Sequence, residues 1–183
     1  MKIEEEILIK KAKNGDHVSF QALYDQYVIQ IYRFVFLKVG QKQDAEDITQ
    51  HVFVSAWENI SSYEHRGFPF SSWLYRIASN ATVDYFRTSG RTVDIEGIPE
   101  EYLGAESENE NHKLDTAIEL EIVKKMLTKL EPDQQSVLVM KFVEDKTNKE
   151  IAESLQKTEG AIRVIQHRAL KQLKALVDER KYN

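Results

Sequence analysis

The sequence predicts an all-α protein with two small helical domains joined by an acidic flexible linker, the second being a helix-turn-helix domain. Apolar residues recur every three and four positions in both parts of the chain, as they do on the buried face of a helix. Between residues 94 and 121 there are ten acidic side chains and one lysine, whereas the rest of the chain is net basic. We therefore predict domains at residues 1–90 and 114–183, with the linker at 91–113.

Composition narrows the possible classes of function. The chain has 183 residues, 42% of them hydrophobic, which is enough for a core, and it has no cysteine, which excludes thiolate zinc sites and cysteine nucleophiles. The five histidines are scattered, and neither a glycine-rich phosphate loop nor an HExxH motif is present, so an enzyme is disfavoured. We see no signal peptide and no apolar run long enough to span a membrane, and we expect a cytoplasmic protein without membrane insertion.

Three helices are predicted in the first 60 residues. A short helix covers about residues 4–14, and a long amphipathic helix follows, which Gly40 ends. Asp44 is expected to be the N-cap of the third helix, with further acids in its first turn. Phe53 and Trp57 lie one turn apart on that helix, and its outer face keeps Asp47 and Gln50.

The stretch from residue 68 to residue 87 carries two stripes at helical spacing. One is apolar and is expected to face the core. The other consists of Trp73, Arg76, Asn80, Asp84 and Arg87. Aromatic, guanidinium and amide groups together suit stacking on bases, pairing with phosphate and reading of base edges, although an amphipathic helix with a half-buried tryptophan accounts for this stretch equally well. Within this stripe, the Asp84 carboxylate is expected to orient Arg87 or Asn80.

The loop before this helix, residues 61–69, is rich in aromatic and basic side chains, which core packing explains poorly. They are Tyr63, His65, Arg66 and Phe68.

The second domain carries the most specific local signal. Pro132 suits the first position of a helix, and residues 147–150 have the form of a capping box that begins another. Gln156-Lys157 then forms a tight turn, and Thr158 can cap a longer helix with a basic stripe. A short helix, a tight turn and a longer basic helix form a helix-turn-helix, whose second helix enters the major groove of DNA.

These patterns together resemble the extracytoplasmic-function (ECF) group of bacterial RNA polymerase sigma factors. The similar residues, in chain order, are Gly15-Asp16, Phe20, Leu23-Tyr24 and Tyr27, then residues 44–50 with Val52-Phe53 and Ala56-Trp57, then Phe70, Trp73-Leu74, Ile77-Ala78, Asn80, Asp84 and Arg87, and finally Thr158-Glu159-Gly160, Ile162-Arg163 and Arg168-Ala169. The chain departs from the family pattern at His51, where glutamate is more common, and at Ile165-Gln166, where the usual polar-then-apolar order is exchanged. It also departs at Gln156, where glycine is common, which implies a side chain at a turn position that can be left-handed.

The resemblance implies a function in binding, without bond chemistry or a cofactor. It implies as partners core RNA polymerase, through the clamp helices of its largest subunit and its flap region, promoter DNA, and an anti-sigma factor. The implied polymerase-binding residues are Asp44, Asp47, Gln50, Phe53 and Trp57. The residues implied to bind the proximal promoter element, where the strands part, are Tyr63, His65, Arg66, Phe68, Trp73, Arg76, Asn80 and Arg87. Those for the distal element are Thr158, Gly160, Arg163, Val164, His167, Arg168 and Lys171.

A second interpretation of the sequence stays open. A one-component transcriptional regulator would share the terminal helix-turn-helix, with the first domain serving as a ligand-binding or dimerisation domain. Binding to duplex promoter DNA without polymerase would favour that class, since a sigma factor of this type is expected to need the core enzyme.

Overall fold

The computed structural model describes residues 3–89 and 125–181, which form helices and turns and, within these two ranges, no strand. The α-helices are α1 (Ile3–Lys13), α2 (His17–Val39), α3 (Lys42–Asn59), α4 (Phe70–Ser89), α5 (Pro132–Leu138), α6 (Asn148–Leu155) and α7 (Glu159–Lys181). A 3₁₀ turn, Ile60–Ser62, follows α3, and a π-helical segment, Val139–Val143, continues α5. The predicted linker and the first part of the helix expected from Leu114 lie outside the described residues. The all-α prediction is confirmed.

The ends of the first helices follow local chemistry, with one correction. Gly40 ends α2 at φ 81°, a left-handed conformation that glycine adopts without strain, as predicted. Asp44 is not the N-cap of α3, so that prediction was wrong. The helix begins three residues earlier, with Gln41 at the N-cap position, and the Asp44 carboxylate instead accepts a hydrogen bond of 2.5 Å from the Tyr85 hydroxyl on α4.

Helix α2 is the centre of the first unit, with α1, α3 and α4 packed around it. Its fully buried side chains include Leu23, Ile31, Phe34 and Val35. Burial of each such side chain contributes roughly 1.5–3 kcal/mol, so this helix fixes the positions of its neighbours.

In the second unit α5 and α6 both pack on α7, with Ile151 and Ile162 buried between them. The predicted capping box is confirmed, because Thr147 Oγ1 accepts from the Glu150 amide at 3.2 Å and the Glu150 carboxylate accepts from the Thr147 amide at 2.8 Å. Gln156 ends α6 in the left-handed region, at φ 54°, as expected. The helix-turn-helix therefore comprises α6, this turn and α7.

The two units pack against each other through α2 and α4 on one side and α5, the π segment and α6 on the other. The π segment presents Glu144, whose side chain is 2% exposed, to the first unit. Arg33 on α2 donates to this carboxylate from Nε at 2.6 Å and from Nη2 at 3.0 Å, and the Tyr75 hydroxyl on α4 donates at 2.9 Å. Hydrogen bonding by Glu144 raises the pKa of Arg33, and burial raises the pKa of Tyr75, so the guanidinium stays charged and the phenol stays neutral at neutral pH.

A lysine is also buried between the units. Lys38 on α2 is 0% exposed, and its ammonium donates to Ser136 Oγ on α5 at 2.8 Å and lies 5.1 Å from the centre of the Phe34 ring. Burial lowers the pKa of Lys38 to about 7, against a weaker opposing effect of Asp133.

Candidate nucleic-acid interface

Helix α4 carries the predicted polar stripe, but it is buried on two sides and not one. Leu74 and Ala78 face the core of the first unit, as expected from their spacing. A second row of buried residues faces away from that stripe. It consists of Ser71, Tyr75, Ser79 and Thr82. Tyr75 reaches Glu144, and Ser71 Oγ accepts from Lys146 Nζ at 3.3 Å, so this row contacts the second unit. Sequence periodicity missed this row because small polar residues carry no hydrophobic signal.

A cavity of about 290 Å³ lies where the loop meets the beginning of α4, and we call it the base cavity. Five of the eight residues predicted for the proximal promoter element line it. They are Tyr63, Arg66, Phe68, Trp73 and Arg76. The cavity combines aromatic walls with a guanidinium group, which is the chemistry that holds an unstacked base.

Arg76 is the partly buried cation of the base cavity, which is also lined by the exposed side chains of Glu64 and Arg66. Its Nη2 donates to the Glu153 carboxylate at 2.5 Å and to the Glu153 carbonyl oxygen at 3.0 Å. Its Nε is buried and has no hydrogen-bond partner among the described residues. Glu153 belongs to α6 and also lines the cavity, so the second unit supplies part of its wall. No sequence pattern pointed to Glu153, because its partner is 77 positions away.

Core packing was expected to explain the loop residue Tyr63 poorly, and that part of the prediction was wrong. The side chain is 7% exposed, and its ring packs edge-on against Phe70 and obliquely against Trp73, with ring centres 5.1 Å apart in both pairs. Lys13 Nζ donates to its carbonyl oxygen at 2.7 Å, and burial raises the pKa of its hydroxyl to about 12. The 3₁₀ turn after α3 directs this residue inward, so Tyr63 fixes the loop and presents a neutral ring to the cavity.

The other three residues predicted for the proximal element lie outside the base cavity. Asn80 and Arg87 are exposed farther along α4, and Asp84 holds Arg87 through an ion pair of 3.1 Å, as expected for a carboxylate that orients its neighbour. His65 lies on the exposed part of the loop and lines a different cavity, next to α1.

Helix α7 presents the whole set predicted for the distal element on its exposed side. Ile162 and Ala169 are buried against the second unit. The exposed residues are Thr158, Gly160, Arg163, Val164, His167, Arg168 and Lys171. Thr158 Oγ1 also accepts from the Ala161 amide at 3.1 Å, which caps the helix as predicted. Arg163 lies 3.5 Å from Glu159 in an exposed pair that costs little to break.

The residues predicted to bind polymerase divide into two groups. Asp47 and Gln50 are exposed on α3, whereas Phe53 is 5% exposed and packs against Tyr24, with 4.8 Å between ring centres. Trp57 is half-buried between Phe20 and His17 of α2, and Asp44 is bonded to Tyr85. The aromatic pair therefore supports α3 from inside, and the polar residues form its surface.

The described part of the chain contains no group of three or more side chains able to hold a metal ion, and none of its helices is long and apolar enough to cross a membrane.

Comparison with known families matches both units. Residues 23–92 match Sigma-70 region 2, and residues 126–175 match Sigma-70 region 4. The chain is 30% identical over 177 residues to the ECF RNA polymerase sigma factor SigW of Bacillus subtilis, covering 91% of this chain and 92% of that protein. It is 32% identical over 179 residues to the ECF RNA polymerase sigma factor BldN of Streptomyces coelicolor, covering 94% of this chain but only 65% of that protein, which is less than two thirds of its length.

Solved structures share the fold. CnrH, solved in complex with the cytosolic domain of CnrY, superimposes with a TM-score of 0.73 at 23% identity, over 96% of this chain and 98% of that one. RpoE, solved with the anti-sigma factor NepR from Bartonella quintana, gives a TM-score of 0.67 at 19% identity, over 87% and 96%.

Proposed function

Because this chain belongs to the ECF RNA polymerase sigma factors, which are transcription initiation factors and not enzymes, we propose that it binds core RNA polymerase and directs it to specific promoters. In this proposal the first unit, residues 1–90, docks on polymerase and takes the proximal element as the strands part. The second, residues 114–183, reads the distal element. The observation that carries it is the base cavity, where residues from a loop and from α4 combine stacking surfaces with a guanidinium group.

Capture of an unpaired base in this cavity explains how one helix both recognises and melts DNA. A base that leaves the duplex can stack on Trp73 and Phe68, and Arg76 can donate to its exposed edge or to the adjoining phosphate. Asn80 and Arg87, one and three turns farther along α4, then lie beside the DNA that is still paired. Binding energy released on capture offsets the loss of stacking within the duplex.

Recognition of the distal element is assigned to α7. Over its first turns α7 exposes small side chains at its beginning and then Arg163, Arg168 and Lys171, which suits entry into the major groove. Arg163 and Arg168 are suited to guanine edges or phosphates, with His167 and Lys171 adding contacts to the backbone.

Polymerase docking is assigned to the outer face of α3. Asp47 and Gln50 offer a polar, acidic surface to the clamp helices of the largest subunit, while Phe53 and Trp57 hold α3 in place. Charge complementarity of this kind sets orientation and association rate more than affinity. The acidic linker, residues 91–113, would follow the polymerase channel, the second unit would contact the flap region, and an anti-sigma factor would bind across both units.

Reconstitution with purified core polymerase tests the proposal. The complex should select two short DNA elements from a randomised promoter library and initiate transcription from them, whereas the free chain should not. An Asp47→Lys variant should no longer co-purify with core polymerase, and an Asp178→Lys variant, which changes an exposed acid of the second unit, should. Tight binding of the free chain to duplex promoter DNA, without affinity for polymerase, would instead identify a one-component regulator.

A further inference from the structure

A second cavity, of about 470 Å³, lies between α1 and the loop. Tyr63 lines both this cavity and the base cavity, so the two are neighbours. Lys10, Lys13, Asn14 and His65 supply most of its polar groups, and Ile9, which is buried in the core, contributes an apolar surface. We call it the α1 cavity.

The charges of the α1 cavity suit an anion. Glu6 is its one acidic residue, against two lysines and a histidine. Lys13 is held by the Tyr63 carbonyl oxygen at 2.7 Å, whereas Lys10 is exposed and forms no ion pair with any described residue. Cationic groups next to an apolar surface match a nucleotide, which has a phosphate and a flat, weakly polar base.

The path of a single strand leads to this place. A strand that runs along α4 from Arg87 towards Trp73, and leaves one base in the base cavity, reaches the loop at the beginning of the helix. The 3₁₀ turn before that loop packs against α1, so the next surface in this direction is the α1 cavity. A strand that leaves the base cavity on this side would next meet the α1 cavity, which Lys10 and His65 line.

We propose that the α1 cavity binds the nucleotide that follows the captured base, with Lys10 and His65 pairing with its phosphate. This inference rests on the proposed function, because it needs a base in the base cavity. It adds α1 to the promoter-binding surface as a subsite for single-stranded DNA.

The test uses the holoenzyme formed from the full chain and core polymerase. The probe is a fork-junction DNA of the selected promoter sequence, whose single-stranded tail carries one methylphosphonate, a neutral phosphate substitute, at successive positions. Lys10→Ala is compared with Lys11→Ala, a neighbouring exposed lysine of the same helix that does not line the cavity. Alanine favours helix, so neither change should disturb α1.

We expect one or two neutralised phosphates beyond the captured base to weaken wild-type binding several-fold. Lys10→Ala should weaken binding of unmodified DNA to a similar extent and lose roughly 0.7 from the slope of log affinity against log salt. The affinity lost through Lys10→Ala and the affinity lost through the methylphosphonate should not add when the two changes are combined. Lys11→Ala should bind as the wild type does.

Independent losses from Lys10→Ala and from each methylphosphonate would overturn the subsite. A Trp73→Ala variant separates this outcome from failure of the proposed function. If Trp73→Ala abolishes binding while Lys10→Ala has no effect, base capture stands and the α1 subsite is wrong. If neither substitution changes binding, both are wrong.

A second inference comes from the base cavity itself. Arg76 is the partly buried arginine of this cavity, and its guanidinium is paired with the carboxylate of Glu153 on α6. Arg76 contacts this carboxylate at 2.5 Å, and each side chain of the pair is less than a quarter exposed. Lys149 of the same helix lies 5.5 Å from the centre of the Phe68 ring, so α6 also covers an aromatic wall of the cavity. A base or phosphate that accepts from Arg76 Nη2 must displace the Glu153 carboxylate.

We infer that the packed arrangement is a resting state, in which Glu153 holds the place of nucleic acid on Arg76 and α6 must leave α4 before a base enters. The test measures binding of a single-stranded oligonucleotide of the selected proximal element to the free full chain, without polymerase. Glu153→Ala should raise affinity several-fold. Asp178→Ala, which removes one exposed negative charge from the same unit, should not.

Equal affinities of wild type and Glu153→Ala, or an equal gain from Asp178→Ala, would overturn the resting state. Arg76→Gln distinguishes this result from failure of the proposed function, since it should weaken binding in the Glu153→Ala background if Arg76 contacts DNA at all.

Discussion

At the scale of single residues, the contacts between the units are made by ionisable side chains whose burial sets their chemistry. Glu144 is almost fully buried but receives three hydrogen bonds, so its charge is compensated. Lys38 is fully buried and receives a single acceptor, Ser136 Oγ. The first contact stabilises the packing, whereas the second lowers stability whenever the ammonium must stay charged.

Lys38→Met should raise stability and remove part of its pH dependence. Because the folded pKa of about 7 lies below the unfolded value of about 10.4, the unfolded chain binds more protons between these limits. The free energy of unfolding of the wild type should therefore rise with pH across this window, and the penalty should be complete below pH 7. Urea unfolding at pH 7 should show the variant more stable by at least about 1 kcal/mol, with a smaller difference at pH 10. Lys42→Met, at an exposed position, is the control, and parallel pH curves for Lys38→Met and wild type would contradict the assignment.

Arg163→Ala should weaken recognition of the distal element by about 1–3 kcal/mol and relax preference at one or two base pairs, because a bidentate contact with a base edge is lost. Lys174→Ala, on the following turns of α7, should weaken all sequences equally if it contacts only phosphate. Binding selection with the reconstituted holoenzyme checks both. An unchanged preference in the Arg163 variant would remove it from the base-reading set.

At the scale of elements, helix ends decide how the helix-turn-helix is built. The α6 start is fixed by the reciprocal bonds of Thr147 and Glu150, and its end by Gln156 in a left-handed conformation. Both devices act within a few residues in sequence, which is why the sequence predicted them. The turn between α6 and α7 sets the position of Glu153 on α6 relative to Arg163 on α7.

Thr147→Ala should lower the free energy of unfolding by about 1 kcal/mol, because the amide of Glu150 loses its acceptor at the exposed beginning of α6. Thr147→Ser keeps that oxygen and should stay close to the wild type. Thermal or urea unfolding followed by circular dichroism measures both variants. Equal losses in the two would mean that the methyl group, and not the cap, stabilises the helix.

Local signals predicted the elements well and long-range contacts poorly. The ends of α2 and α6, the buried row of α7 and its exposed basic face all follow from spacing and capping chemistry. The N-cap of α3 was wrong because Asp44 has a better partner in Tyr85, which is 41 positions away. The inward position of Tyr63, the burial of Lys38 and the role of Glu153 likewise depend on residues distant in sequence, for which one sequence gives no pattern.

At the scale of the whole molecule, the two units share one continuous hydrophobic core in the described residues, and several polar contacts cross their junction. Arg33–Glu144 and Arg76–Glu153 are ion pairs between described residues at this junction, and the carboxylate of the first is the more deeply buried. Helix α4 contacts the second unit at this junction, and its first turns line the base cavity. Packing of the two units and access of promoter DNA to the cavity are therefore linked.

Glu144→Ala should loosen the junction. Loss of the carboxylate leaves the guanidinium of Arg33 half-buried without its partner, and breaking a buried ion pair costs about 3 kcal/mol. Calorimetry should show lower overall stability and separate transitions for the two units. Asp178→Ala should melt as the wild type does. A single, unshifted transition in the Glu144 variant would show that the junction contributes little.

Permanganate footprinting of the holoenzyme on its selected promoter tests the central claim, that the base cavity holds the unpaired base as the strands part. The claim predicts that Trp73→Ala and Arg76→Gln holoenzymes still protect the distal element but leave thymines of the proximal element unreactive, because the strands stay paired. Normal thymine reactivity in both variants, with intact protection of the distal element, would contradict it.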